Sequence, residues 1–415
     1  MLVSVKSQPA NDPDCDEGLS PHIVVGITSP QTCMVLTGRL RTLREAGFRV
    51  TLVCSPGELF DRLTQDERVE KFAVPMERCI APFADIVSIV RLWLLLRRIK
   101  PDITEFSTPK AGLLGTLAAR FAGVPHRVYM LRGLRLETAS GLKRTILMAA
   151  ERMASACAHV VLCNSESLRA KALALRLAPA SKLKMLGTGS SNGVDIVRFS
   201  PGESDVRERF NLPNDAAVLG FVGRMTRDKG LPELIEAFDL ILQARPEAYL
   251  LLVGWFDASE DALDAQLRAS IEKHSRIICT GYVEDTSPYY RAMNMLILPT
   301  WREGFPNAVL EASATGIPVI TTLSTGACDA VVPEVTGFLI PPGHPMAICE
   351  AALKFLRDPV RSQEMGVAAR ARVIEHFANA HILGLAARFY KDLLKPSSGQ
   401  GVSQVAAMDS VFPLR

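Results

Sequence analysis

Residues 22–54 read HIVVGITSPQTCMVLTGRLRTLREAGFRVTLVC. Two short β-rich runs, 22–28 and 48–54, flank a helical segment, TCMVLTGRLRTLREAG, that stops at Gly47. Strand, helix and strand in this order predict a βαβ unit. The alternation continues through a strand at 69–74, a helix around 85–100, a strand at 102–106, a helix opening at Pro109, a strand at 127–131, a helix around 141–156 and a strand at 159–163. Strands that alternate with helices predict a parallel sheet covered on both faces.

The pattern restarts with AVLGFVG (217–223) and runs on through strands at 249–254, 276–281, 295–300 and 318–322. Between the two series lies GTGSSNGVDIVRFSPGES, residues 187–204, a Gly-, Ser- and Pro-rich connector. The expected division is therefore a flexible segment at 1–20, a doubly wound domain at 21–190, a second at 191–377, a helix at 378–395 that crosses back to the first domain, and a disordered tail at 396–415. A length of 415 residues agrees, being more than one core usually serves.

Composition narrows the class. With 48% hydrophobic and 22% charged residues the chain can bury large cores, which excludes a wholly disordered protein. The most apolar run, SIVRLWLLLRRI at 88–99, is interrupted by Arg91, Arg97 and Arg98, so no membrane span is expected. The first residues lack the apolar core of a signal peptide, and the chain is expected in the cytoplasm. Nine scattered cysteines without a CxxC pair read as small core residues in a reducing compartment. Charge is uneven: residues 1–190 carry 26 Lys+Arg against 17 Asp+Glu, or +9, and residues 191–415 carry 21 against 27, or −6. A basic half suits an anionic partner, though an unevenly charged solvated surface gives the same count.

Several motifs fall away on context. Gly189-Ser190-Ser191-Asn192-Gly193 matches the GxSxG of serine hydrolases, but that motif needs a helix directly after it and GVDIVRFSP follows instead. Asp12, Asp14 and Asp16 alternate as cation ligands can, yet stand in a terminal segment without apolar neighbours to fix them. No HExxH pattern occurs, the first strand is followed by GITSPQT rather than G-x-G-x-x-G, and no Walker A loop is present.

Two blocks remain. Gly223-Arg224-Met225-Thr226-Arg227-Asp228-Lys229-Gly230 stands between the strand AVLGFVG and the helix LPELIEAFDLILQA, where open α/β sheets place ligands. Its glycines let a ligand come close to the backbone, while Arg224 and Lys229 offer a donor fork and a point charge suited to a diphosphate. A basic turn that merely caps the helix is the simpler alternative. In EGFPNAVLE, Pro306 suits the first turn of a helix, so Glu303 lies in the loop before it and Glu311 more than one turn inside. The helix start aims backbone N–H groups at an anion, and Glu311 can accept hydrogen bonds from vicinal hydroxyls.

These blocks together resemble those of the retaining glycosyltransferases of family 4. GRMTRDKG is similar to that family's G-R-x4-K-G motif, Glu303 and Glu311 to its E-x7-E motif, and SSNGVD at 190–195 to the segment that enters the second domain. The resemblance implies a GT-B fold, α/β with two Rossmann-like doubly wound parallel-sheet domains facing across a cleft. It implies that Gly223, Arg224 and Lys229 hold the leaving diphosphate, that Glu311 binds the ribose and that Tyr282 and Val283 lie near the base. Glu303 and the backbone of Gly304, Phe305 and Asn307 would face the donor sugar and its phosphates. Arg224, Lys229 and Glu303 are thus the catalytic candidates, with no metal or other cofactor expected. STPKAGLLG (107–115) and VYMLRGLRLET (129–138) resemble bacterial members that build capsular, exopolysaccharide or lipid-linked glycans. On that likeness Lys110, Arg132 and Arg135 are candidate contacts to an anionic acceptor. Two departures stand out: TSPQT lacks the paired glycines of many members, and Arg132 stands where many carry His. The implied reaction moves a hexose or N-acetylhexosamine from a nucleotide sugar, UDP-linked in the leading reading, to a lipid-linked glycan at an anionic membrane face. A GDP-mannose-dependent mannosyltransferase and a non-catalytic nucleotide-sugar-binding protein are the rivals; no nucleic-acid partner is expected.

Overall fold

A computed structural model describes residues 20–77, 81–213, 215–258 and 260–395. The alternating acidic residues before the first strand, Cys15, Cys79, and the expected flexible terminal segments up to residue 19 and from 396 lie outside the described residues.

The first sheet has seven strands: β1 (His22–Gly26), β2 (Arg49–Cys54), β3 (Glu70–Ala73), β4 (Ile103–Ser107), β5 (His126–Leu131), β6 (Val160–Cys163) and β7 (Leu183–Met185). Their order is β3-β2-β1-β4-β5-β6-β7, all parallel. The second sheet has six: β8 (Val218–Val222), β9 (Tyr249–Val253), β10 (Ile277–Cys279), β11 (Met295–Leu298), β12 (Val319–Thr322) and β13 (Gly337–Ile340), ordered β10-β9-β8-β11-β12-β13 and again parallel. Central strands such as β1, β4, β8 and β11 are buried along their whole length, as helices on both faces require. That double cover is why they read as unbroken apolar runs.

Two sheet edges were not anticipated. β7 is three residues and β13 four, too short for either to show a period. The first helix also differs: residues 30–36 form a tight 3-10 segment, and the α-helix Arg39–Glu45 begins after Gly38, whose φ is +80°. Glu67 explains the break, since its carboxylate accepts from the backbone N–H of Gly38 at 2.6 Å and of Arg41 at 2.7 Å, capping the helix from another element.

Two chain crossings join the halves, and they touch. Val194 and Ala378 form an isolated parallel bridge, with Val194 N–H donating to Phe377 O and Asn379 N–H to Val194 O, each at 2.9 Å. Helix Asn379–Leu393 then buries Ala386, Ala387 and Tyr390 in the core formed with β1, β2 and β4. Beside this junction Arg39 donates to Glu105 at 2.6 Å, to the Tyr390 hydroxyl at 3.1 Å and to Ser191 O at 2.5 Å, while Tyr390 also donates to Glu105. Arg39 and Glu105 are fully buried. Burial alone would raise the Glu105 pKa, but Arg39 and Arg132 hold it below the ordinary carboxylate range.

Candidate active site

Both sequence blocks arrive at the switch point of the second sheet. The strand order reverses between β8 and β11, and the loop after β8 carries Gly223–Gly230 while the loop after β11 carries Glu303. The loops are tied together: Trp301 N–H donates to Asp228 O at 2.9 Å, and Lys229 Nζ meets Glu303 Oε1 at 2.5 Å. Both side chains of that ion pair are mostly buried.

Asp228 organises the turn. Its carboxylate accepts from the Thr226 hydroxyl at 2.6 Å and from Arg302 Nη2 at 2.8 Å. Burial would raise its pKa, but the charges of Lys229 and Arg302 and the Thr226 hydroxyl keep it below the usual carboxylate value. Arg302 also donates to the Thr138 hydroxyl of the first domain at 3.0 Å, so one guanidinium joins the turn to the opposite wall of the cleft. Asp228 and Arg302 lay within or next to the quoted blocks, yet nothing in the sequence told them from surface charges.

Arg224 is partly exposed and pairs with Asp257 at 3.0 Å. The backbones around it are close: a Cβ on Gly254 would sit 1.9 Å from Gly223 O, so the loops after β8 and β9 meet only because residue 254 is glycine. Tyr282, half exposed after β10, lies edge-on to Trp255 at 5.7 Å, and Val283 packs on the edge of the second core.

Helix Asn307–Thr315 follows the β11 loop with Pro306 as its N-cap residue, just before the first turn in which the sequence had placed it, and no side chain caps it. Its start therefore offers backbone N–H groups toward the Lys229–Glu303 end of the cleft. Glu311, one turn in, accepts from the Tyr290 hydroxyl at 2.8 Å. Burial pushes its pKa up, against that hydrogen bond. Phe305 turns its ring into the core, 5.1 Å from Phe377 and close to Gly189, leaving its backbone to the loop.

From the first domain, Arg132 follows β5 directly and reaches the same place. A Cβ on Gly304 would come within 2.0 Å of Arg132 O, which shows how closely the two walls approach. Arg132 Nη1 donates to Ser191 Oγ at 2.6 Å, while its Nε and Nη2 are buried without a hydrogen-bond partner. Burial, and then the nearby Arg39 charge, lower its pKa to about 10, so it stays charged at neutral pH. Ser191 is thus held by an arginine, with no helix after it, and is not a hydrolase nucleophile.

The other two basic candidates are placed differently. Lys110 is engaged by both oxygens of Asp85, at 2.7 and 2.6 Å, and is almost covered, so its charge is not offered to the cleft as the sequence reading expected. The cause is helix Pro82–Ile99, whose first turn sets Asp85 beside the start of helix Pro109–Ala122. Arg135 is exposed and bridges the domains through Glu260 at 3.4 Å, which Lys143 also contacts. Among the described residues no three His, Cys, Asp or Glu side chains converge as metal ligands would.

Two facing doubly wound domains with this cleft between them define a GT-B glycosyltransferase. Residues 216–358 match the model of the group 1 glycosyl transferases and residues 36–189 that of the glycosyl transferase 4-like domain. The chain is 36% identical, over 90% of its length and 98% of the relative's, to the capsular polysaccharide biosynthesis glycosyltransferase CapM of Staphylococcus aureus. It is 28% identical, over 77% of its length and 85% of the relative's, to the UDP-Gal:alpha-D-GlcNAc-diphosphoundecaprenol alpha-1,3-galactosyltransferase of Escherichia coli. Anabaena Alr3699/HepE, solved with UDP-glucose, shares the fold with a TM-score of 0.74 at 18% identity, over 89% of this chain and 99% of that one. The chain belongs to the group 1, family 4 glycosyltransferases.

Proposed function

We propose that this glycosyltransferase moves a hexose or N-acetylhexosamine, with retention and without a metal, from a UDP-sugar to a lipid-linked glycan at the inner face of the cytoplasmic membrane, in capsule or related surface-polysaccharide synthesis. The observation that carries the donor half is the Lys229–Glu303 pair at the β8/β11 switch point, set before the uncapped start of helix Asn307–Thr315. The acceptor half is supported by the two relatives above, one a glycosyltransferase of capsular polysaccharide biosynthesis and one a galactosyltransferase named for GlcNAc-diphosphoundecaprenol.

In this reading Arg224, Lys229 and the helix start stabilise the charge that grows on the departing diphosphate, fixed dipoles and cations that need no reorganisation. Glu303 orients Lys229 and meets the donor sugar, and Glu311 holds the ribose hydroxyls beside Tyr290. Tyr282 and Val283 border the base. The C1–O bond to the diphosphate breaks, the acceptor oxygen bonds to the same face of C1, and its proton passes to the leaving phosphate oxygen. Arg132, with two unpartnered buried guanidinium nitrogens at the cleft wall, contacts the acceptor, and Arg135 contributes from the rim.

Calorimetric titration tests the donor half. UDP and UDP-sugars are expected to bind more tightly than GDP and GDP-mannose, and Glu311→Ala is expected to weaken UDP roughly 10- to 100-fold by removing one or two charge-assisted hydrogen bonds. Tighter binding of GDP-mannose, or an unaltered UDP affinity in Glu311→Ala, would overturn the assignment.

A further inference from the structure

Helix Pro82–Ile99 packs one side on the core, with Ile89, Trp93, Leu95 and Ile99 partly buried against it, and leaves an apolar stripe on the other side in water. Ser88, Leu92 and Leu96 recur every fourth residue and are covered by the core that also holds Val24, Val53 and Phe106. On the other side Phe83, Ile86, Val87, Val90 and Leu94 are exposed, Phe83 to 87%. At about 100° per residue these five fall within a sector of about 100°, the width of the stripe with which an ordinary surface helix meets its own core. A side chain as large as Phe83 standing free on such a stripe marks an interaction face.

On the helix itself the exposed charge is of one sign. Arg91, Arg97 and Arg98 are exposed at its margins and toward its C-terminal end, and Arg97 lies 5.4 Å over the Trp93 ring. The helix has a single acid, Asp85, and Lys110 already neutralises it at 2.6 Å. No helix among the described residues is long and apolar enough to cross a membrane. Apolar residues along one face with arginines at its edges are the pattern of a helix that lies in an interface. The Phe83 end of the helix follows β3 and stands beside the start of helix Pro109–Ala122, which follows β4; both starts are at the carboxyl edge of the first sheet, where the cleft opens.

We infer that this face is the surface by which the enzyme lies on an anionic lipid bilayer, with Phe83, Val90 and Leu94 in the headgroup region and Arg91, Arg97 and Arg98 on lipid phosphates. The stripe then brings the mouth of the cleft to a membrane-held acceptor, and in this respect the inference rests on the lipid-linked reading above. Charge complementarity selects the occupant: an apolar face whose own helix exposes arginines suits anionic lipid, whereas a second copy of the same face would set arginine against arginine.

Co-sedimentation of the full chain with vesicles of phosphatidylcholine mixed with phosphatidylglycerol, compared with phosphatidylcholine alone, tests it. The wild-type chain binds the anionic vesicles; the pair Phe83→Glu and Val90→Glu lowers that partition at least ~10-fold, and Arg97→Gln and Arg98→Gln lower it about 5-fold each. The tryptophan introduced by Phe83→Trp shifts its emission to the blue on vesicles and is quenched by brominated lipid, a readout independent of any loss of binding. UDP titration is unchanged in all of these variants, which separates the surface from the donor site. Wild-type chain that stays off anionic vesicles while still transferring sugar would overturn the surface and leave the proposed function standing. Glutamate variants that sediment as wild type does, or lipid-free self-association that those variants abolish, would also overturn it.

Discussion

Among the described residues burial pushes two carboxylate pKa values upward, at Glu311 and Glu151, and the two differ in what the charge is for. Glu311 faces the Tyr290 hydroxyl in the cleft, where the proposed ribose gives its ionised form hydrogen bonds worth the burial. Glu151, in helix Gly141–Cys157, meets only the Tyr129 hydroxyl at 2.7 Å, and burial lifts its pKa from 4.5 to about 7. Because the folded value lies above the ordinary one, the stabilisation from neutral Glu151 is complete below about pH 4.5 and fades as pH rises through about 7. Glu151→Gln is therefore expected to raise the melting temperature by several degrees at pH 8 and to change it little at pH 4.5, read by calorimetry across that range. Equal effects at both pH values would mean that Glu151 does not titrate in the folded chain. At the residue scale the sequence placed Arg224 and Lys229 in the loop after β8, Glu303 in the loop after β11 and Glu311 in the helix that follows, because each loop follows an apolar strand and Pro306 marks the helix start. It was not legible for Asp228, Arg302, Tyr290 or Arg39, whose partners lie on other elements and whose burial no local pattern reports.

The elements that shape the cleft are loops that glycine allows to touch. The Arg132 carbonyl lies against Gly304, 2.0 Å from where a Cβ would stand, and so the glycine sets how far the β11 loop closes on the β5 loop. Gly304→Ala is expected to push these walls apart and to cut turnover by about 10²-fold, the scale of a misplacement of roughly 1 Å. UDP affinity is expected to fall by much less, because Glu311 and Lys229 lie on the second domain alone; steady-state kinetics beside UDP titration separate the two effects. A comparable loss in both would place the damage in the donor loop itself. Strands β1, β2, β4 to β6, β8, β9, β11 and β12 were readable because burial on both faces makes them continuous apolar runs. β7 and β13 were not, being short edge strands, and the single helix expected over 32–47 gave way to a break imposed by Glu67 from a distant turn.

The two halves are joined where the Val194–Ala378 bridge and the Arg39–Glu105–Tyr390 cluster lie side by side. Buried charge of this kind stabilises only while it is paired. Glu105→Gln leaves Arg39 buried without its counter-ion and is expected to cost about 3–5 kcal/mol in denaturant unfolding, whereas Arg39→Met with Glu105→Leu is expected to restore much of that. If Glu105→Gln proved neutral, the cluster would not hold the junction. The alternation of strands and helices made a two-domain plan legible from the chain alone, because each βαβ unit is local; how closely the walls approach depends on contacts between residues more than a hundred positions apart, such as Arg302 with Thr138. The claim that unites these scales is that the cleft transfers sugar from UDP to a lipid. Incubation of the wild-type chain and of Lys229→Ala with radiolabelled UDP-sugars or GDP-mannose and membrane lipid extract measures it directly. The expected result is label carried from one UDP-sugar into the lipid fraction with its anomeric configuration retained, and a loss of at least ~10²-fold in Lys229→Ala. Label entering lipid from GDP-mannose alone, or with inverted configuration, or undiminished in Lys229→Ala, would contradict the account.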